Sequence, residues 1–169
     1  MGGEDSDVVS QRVLVLDRRA FSTIELLVVM AILGVVAAAS MPSMISYWRS
    51  ATLRAGAEEL AAGLNSGRQL AISQAQRVCV EVANNRYRYR LTGCGGAAWT
   101  GPGTDANGYF GMANNMGVTT NANPVFDYLG AANPGATLTV TNPQDGTTLS
   151  VVVSVAGRVR ICSAAGCPP

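Results

Sequence analysis

Two small groups of residues could carry chemistry in this chain of 169 residues. The first is a single acid, Glu25, immediately before residues 26–48, a stretch that has no charged side chain. An isolated ionised group inside a bilayer costs about 3 kcal/mol, so Glu25 is a functional candidate that needs a buried cationic partner. The second is Gly157-Arg158-Val159-Arg160. If this segment is extended, Arg158 and Arg160 project on one side while Val159 and Ile161 face the core.

The composition excludes most catalytic machinery. The chain has no histidine, and all 12 of its basic residues are arginine. The lack of histidine excludes Ser-His-Asp and Cys-His catalysis and imidazole metal sites, and the lack of lysine excludes a Walker-type phosphate loop and a Schiff base. With 14% charged and 48% hydrophobic residues, the chain is neither disordered nor strongly basic. We therefore predict a non-enzyme without cofactor, metal or small-molecule substrate.

The uncharged stretch 26–48 is long enough to cross a bilayer, which takes roughly 20 residues. Arg18 and Arg19 precede it and form the basic flank expected on the cytoplasmic side. The following residues would then lie outside the cytoplasm as one domain, where four cysteines, an even number, fit an oxidising compartment.

Three interpretations of this stretch compete. A secretory signal cleaved after Ala39 would release an exported soluble protein, and Arg18-Arg19 resembles the start of a twin-arginine export signal. The third interpretation is a retained membrane anchor. Glu25 argues against both signals, because export signals avoid acids at that place.

The segment around Glu25 decides between them. Its sequence closely resembles the amino-terminal signature of type IV pilins and type II secretion pseudopilins: Ala20-Phe21-Ser22-Thr23-Ile24-Glu25-Leu26-Leu27-Val28-Val29-Met30-Ala31-Ile32-Leu33. In that family a prepilin peptidase cuts before the Phe and methylates the new amino group. The resemblance implies cleavage between Ala20 and Phe21, although Ala20 stands where the family usually has Gly.

The resemblance also implies roles and boundaries. The family's Glu at this place pairs with the amino-terminal amine of a neighbouring subunit, which supplies the partner that Glu25 needs. Pro42 matches the family's helix-kinking proline. The expected organisation is a leader (residues 1–20), a transmembrane and assembly helix (21–48), and a globular head (49–169).

Periodicity predicts the elements of the head. Apolar residues recur at helical spacing up to about Gln76, with Gly56, Gly63 and Gly67 allowing close packing against a sheet. Strands are expected at residues 77–83 and 86–92 around an Asn84-Asn85 turn, and at 125–129, 136–141, 147–155 and 158–162. Residues 93–124 are expected to be either a surface insertion with a role or a poorly ordered segment.

These patterns predict an α+β fold with a long amino-terminal helix on a carboxyl-terminal antiparallel sheet, which is the pilin fold. Two segments, the helix end at residues 67–77 and the closing hairpin at 154–162, are similar to the GspH/FimT group of minor pilins and pseudopilins. The resemblance implies a structural subunit made in the bacterial inner membrane and assembled with other pilins into a pilus or a periplasmic pseudopilus.

The arginines give an alternative function. In FimT-like proteins of natural transformation, a GRxR element near the carboxyl terminus contacts incoming DNA, so resemblance makes Gly157, Arg158 and Arg160 candidates for binding double-stranded DNA. Arg86, Arg88 and Arg90 alternate along one predicted strand and would extend a basic stripe if both strands share a face.

The four cysteines allow three connectivities. We prefer Cys162 with Cys167, which closes a small loop, and Cys79 with Cys94, which ties the first strand to the insertion. The spacing lacks the C-x-x-C that favours zinc. Asp105-Ala106-Asn107 begins like a calcium loop, but no bidentate Glu follows at the required distance, so a turn is expected.

Overall fold

The computed structural model describes residues 22–163 and residue 167, and the chain divides into two compact units between Met41 and Pro42. The predicted leader and the predicted cleavage residues Ala20 and Phe21 lie outside the described residues. One helix, α1 (Thr23–Ser73), contributes to both units.

In the first unit, α1 is predominantly apolar over Thr23–Met41, which has a mean hydropathy of 2.4 and is not buried by other parts of the chain. By length and composition, these 19 residues can cross a membrane. Glu25 lies in the first turn of the helix. A carboxylate is favoured at this end, because the helix dipole is positive there.

In the second unit, α1 ends at Ser73 with a helix-terminating motif. The Gln76 N–H donates to the Ala71 carbonyl at 3.1 Å, and the Ala75 N–H donates to the Ile72 carbonyl at 3.2 Å. Ala75 has a φ of 50°, the left-handed conformation that this motif requires. The helix therefore ends three residues before the predicted end, because these backbone bonds satisfy its last carbonyls.

Eight strands follow, and all of their pairings are antiparallel. They are β1 (Val78–Ala83), β2 (Arg86–Leu91), β3 (Tyr109–Gly111), β4 (Gly117–Thr120), β5 (Val125–Phe126), β6 (Ala136–Thr141), β7 (Thr148–Val153) and β8 (Val159–Cys162). The single sheet expected from the sequence is divided into two sheets of four strands. Their orders are β3-β2-β1-β5 and β4-β6-β7-β8.

The β1–β2 hairpin confirms the predicted Asn84-Asn85 turn. Both residues have positive φ, 52° and 58°, as a two-residue turn of this kind requires. The turn fixes the register, so Glu81 lies opposite Arg88 and Val80 lies opposite Tyr89.

Of the two expectations for residues 93–124, the poorly ordered segment was wrong. The segment is neither structureless nor an excursion from the fold, because it contributes β3 to one sheet and β4 to the other. It is rich in Gly, Asn and Thr, and its strands are only three and four residues long. Strands this short leave little alternation by which the sequence could reveal them.

The core forms where one face of α1 meets both sheets. Its buried helix residues are Leu53, Ala57, Leu60, Leu64 and Ala71. Gly56 lies beside Met116 and Val140 at the second sheet, whereas Gly63 lies beside Tyr87 at the first. Because a Cβ at Gly63 would overlap the Tyr87 ring, the absence of a side chain there lets helix and strand approach closely. The predicted role of these glycines in packing is confirmed.

Candidate functional site

The described residues contain two regions to which the sequence assigns function, and the first is the amino-terminal part of α1. Glu25 is exposed in its first turn, within the bilayer-length apolar segment. The helix continues through Pro42. The loss of one backbone donor at this proline does not end α1.

The second region is the turn between β7 and β8. The Gly157 N–H donates to the Ser154 carbonyl at 2.8 Å, and the Ser154 N–H donates to the Arg158 carbonyl at 3.0 Å. Gly157 has a φ of 74°, as expected from the sequence. It is also buried against the Gly130 carbonyl, where a Cβ would collide with backbone. Only glycine meets both requirements.

Arg158 and Arg160 are both exposed. The register explains their orientation. Val159 pairs with Val153 and Ile161 with Val151, and both partners are buried, so Val159 and Ile161 share the core side of the sheet. Ile161 remains 40% exposed, because β8 is the edge strand and the core does not extend beneath it. The expected burial of Ile161 was therefore only partly correct.

Arg68 of α1 lies beside the same turn, and the sequence gave no reason to place it there. A Cβ on Gly157 would lie 3.3 Å from the Arg68 Nε, which is buried without a hydrogen-bond partner among the described residues. Three arginines therefore contribute positive charge to this region: Arg68, Arg158 and Arg160. Among the described residues, none of the three forms an ion pair.

The arginines of β2, in contrast, form ion pairs with acids. Arg88 and Arg90 both donate from Nε to the Glu81 carboxylate, at 2.6 and 2.5 Å. Arg86 pairs with Asp105 at 3.2 Å. The Arg88 guanidinium also stacks 4.4 Å from the centre of the Tyr109 ring, a cation–π contact. Each of these three arginines is therefore paired with an acid of the hairpin or its neighbouring loop, and Arg88 and Arg90 share one carboxylate.

The electrostatics follow from these pairs. The hydrogen bond from Arg88, aided by Arg90, lowers the pKa of Glu81 even though burial acts in the opposite direction. Hydrogen bonds from the backbone N–H groups of Tyr109 and Asn107 to the Asp105 carboxylate lower the pKa of Asp105. The same bonds close the turn that the sequence predicts at residues 105–107. Because β2 and β8 also belong to different sheets, the basic stripe considered from the sequence does not form.

The sequence contained a signal for Glu81 that we did not use. A two-residue turn at Asn84-Asn85 sets the register by counting outward, which places Glu81 opposite Arg88. The contribution of Asp105 and Tyr109 has no such local signal, because Asp105 lies 19 positions after its partner Arg86 and Tyr109 lies 21 positions after Arg88.

The structure joins Cys79 to Cys94 and Cys162 to Cys167, the pairing preferred from the sequence. The first bond ties β1 to the start of the insertion. No group of three or more metal-ligating side chains occurs within residues 22–163. The adjacent acids Glu58 and Glu59 have different partners: Glu58 pairs with Arg54, whereas Glu59 accepts a hydrogen bond from the Ala113 N–H.

Comparison with known proteins gives matches at both ends of α1 and in the head. A model of the prokaryotic N-terminal methylation motif matches residues 17–41, and a model of the type II transport protein GspH matches residues 56–157. Among curated proteins, none matches the chain significantly.

Two solved structures are similar in shape. The minor pseudopilin EpsH from the type 2 secretion system of Vibrio cholerae is 10% identical, with a TM-score of 0.52, over 68% of this chain and 98% of its own. The type IV minor pilin FimU of Pseudomonas aeruginosa is 18% identical, with a TM-score of 0.49, over 69% and 92%. At 10% identity, the similarity to EpsH bears on the fold alone, and it confirms the predicted pilin fold.

Glu81→Gln should lower the free energy of unfolding by about 1–2 kcal/mol at pH 7, because two half-buried arginines lose their counter-charge. The folded pKa of Glu81 lies below its unfolded value, so this stability is present above the unfolded pKa and is lost as pH falls through the folded pKa. The difference between variant and parent should thus shrink below about pH 4. Urea unfolding of the full chain in non-ionic detergent measures it.

The control for this prediction is Glu58→Gln, which removes an exposed pair with Arg54 and should change stability by less than about 0.5 kcal/mol. A Glu81→Gln effect that stays constant from pH 7 to pH 3 would contradict the charge argument.

Gly157→Ala should destabilise the fold more than Gly146→Ala. Both positions have positive φ, 74° and 71°, but a Cβ at Gly146 meets open space whereas one at Gly157 meets the Gly130 carbonyl. We expect losses of about 3 and about 1 kcal/mol respectively. Thermal unfolding followed by near-ultraviolet circular dichroism compares the two, and equal losses would show that the close approach is unimportant.

Proposed function

The chain belongs to the GspH family, whose model matches more than half of it, and from this premise we propose that it is a minor subunit that assembles through α1 into a type IV pilus or a type II secretion pseudopilus. One observation carries the proposal. The single helix Thr23–Ser73 supplies both a bilayer-length apolar segment with one acid and the face that forms the core of the head.

The match to the methylation motif at residues 17–41 supports a proposal for the amino-terminal chemistry. We place the prepilin peptidase cleavage between Ala20 and Phe21, with methylation of the new Phe21 amine. Glu25 then becomes the fifth residue of the mature chain. Before assembly the subunit is anchored in the inner membrane by α1, and afterwards it is part of a periplasmic or extracellular filament.

Glu25 directs docking by pairing with an amino-terminal amine of a neighbouring subunit. In a bilayer, a carboxylate and an ammonium group are each costly alone but tolerable together. The amine is created only by cleavage, so cleavage would have to precede assembly. Pro42 removes a backbone donor from α1 and would let the helix adjust where subunits pack.

Mass spectrometry of the mature protein should find an N-methylated Phe21 at its amino terminus. Glu25→Ala should leave this processing intact while reducing incorporation into filaments at least tenfold, because the amine loses its partner. Glu58→Ala, which removes an exposed acid of the same helix, should change neither the processing nor the incorporation into filaments. A mature terminus at Ser40 would support an exported soluble protein and refute the proposal.

A second function, binding of double-stranded DNA, is favoured by one observation. Arg158 and Arg160 are exposed without an ion pair among the described residues, whereas Arg86, Arg88 and Arg90 are paired with acids. Guanidinium groups left without internal partners are the ones able to bind phosphate oxygens. Arg68, beside Gly157, adds charge to the same place.

Binding of the full chain in non-ionic detergent to duplex DNA, measured over a range of salt concentrations, tests this function. Changing Arg158 and Arg160 to Gln should weaken binding and reduce the salt slope by about one to two. Changing Arg54 and Arg86 to Gln removes the same charge from exposed arginines that are paired with acids, and should have little effect. Equal effects of both double variants, or no binding by the parent, would reject the role.

A further inference from the structure

A cavity of about 410 Å³ lies between α1 and the outer part of the first sheet. One wall is a face of the helix, from Glu59 to Leu70, and the other is formed by the rings of Tyr87, Tyr89, Trp99 and Phe110. A volume in this range is enough for a small ligand or a long side chain. Neither the GspH match nor the arginine region accounts for this aromatic cavity.

The fold builds the aromatic wall in three steps. Alternation along β2 turns Tyr87 and Tyr89 toward the helix, while the β2–β3 register places Phe110 opposite Tyr87. The backbone N–H of Trp99 donates to the Tyr89 carbonyl at 2.8 Å, and this bond holds the insertion beside the sheet. The centre of the Phe110 ring is 5.1 Å from those of both tyrosines and 6.3 Å from that of Trp99. The four rings therefore form one connected cluster.

Of the described residues that line this cavity, only Glu59 has a carboxylate. It is half-buried, and its Oε2 accepts the Ala113 N–H at 3.1 Å. Within the described part of the chain, no arginine forms an ion pair with it. Burial and the charge of Glu59 together raise the pKa of Tyr87, so the carboxylate acts on the interior of the cavity.

Among the described residues that line the cavity, Glu59 is the one with a charged side chain. The alternation that turns the β2 tyrosines toward the helix turns Arg86, Arg88 and Arg90 to the opposite face of the strand. The π faces of aromatic rings are negative as well, and they attract cations within about 6 Å. A neutral apolar occupant would leave the Glu59 charge uncompensated, whereas a cation would satisfy both the carboxylate and the rings.

We propose that this cavity binds the cationic end of an arginine or lysine side chain from a neighbouring subunit, with Glu59 as the counter-charge and the four rings as the apolar wall. The choice of a protein side chain rests on the proposed assembly of this family member with other subunits. The site would act as a specificity contact between heads, separate from the pairing of Glu25.

The full chain in a maltoside detergent provides the test, since choline-headed detergents would themselves supply a cation. The chain has two tryptophans, so Trp48→Phe leaves Trp99 as the only tryptophan, and excitation beyond the tyrosine absorption band reports on it selectively. Nα-acetyl-arginine amide should change Trp99 emission saturably, with a dissociation constant in the millimolar range. Its neutral isostere, Nα-acetyl-citrulline amide, should bind at least fivefold more weakly at equal ionic strength.

Glu59→Gln should weaken arginine binding at least fivefold while leaving the melting temperature nearly unchanged, because Gln can still accept the Ala113 N–H. Glu58→Gln is the matched control, since it removes the adjacent carboxylate, which does not line the cavity. Equal binding of citrulline and arginine, unchanged binding by Glu59→Gln, or the absence of a saturable response would overturn the proposal.

These results are separable from those on assembly. Loss of arginine binding in Glu59→Gln with Phe21 methylation intact supports the cavity as an independent contact. Conversely, a mature terminus at Ser40 would refute the assembly proposal, and the citrulline comparison would still decide whether the cavity selects a cation.

Discussion

The close packing of one face of α1 on two sheets is the constraint on which the rest of the head depends. The helix has no Cβ at Gly63, so the Tyr87 ring can lie directly against it. At Gly56 the approach is less close, since a Cβ there would lie 3.0 Å from the Met116 side chain and 3.6 Å from that of Val140. Since strands alternate, fixing their inner side chains against the helix also fixes which side chains face outward.

The same alternation explains why the arginines of β2 are paired with acids and Arg160 of β8 is not. On β2 the basic side chains face away from the helix, where Glu81 of the neighbouring strand lies on the same side. On the edge strand β8, no strand follows to supply an acid, so Arg160 stays exposed and unpaired among the described residues. Arginines at alternate positions therefore stabilise the β1–β2 hairpin when they lie on β2, whereas at β8 they remain available for a ligand.

The insertion shows how a segment with weak local signals acquires a role. Cys94 bonds to Cys79, Trp99 bonds to the backbone of β2, and Phe110 lies opposite Tyr87. These contacts connect the insertion to β1 and β2 of the first sheet and close an aromatic cavity against the helix. Its composition predicts flexibility, but composition does not report contacts with residues far away in the sequence.

The sequence by itself determined the features that depend on neighbours along the chain. The apolar segment with Glu25, the Asn84-Asn85 turn and the positive φ of Gly157 are all of this kind, because bilayer length and turn geometry involve only a few consecutive residues. Only the tertiary structure decided that the strands divide into two sheets and that Glu59 faces an aromatic cavity. Those outcomes depend on which distant side chains fill the space beside α1, and short-range periodicity does not encode that choice.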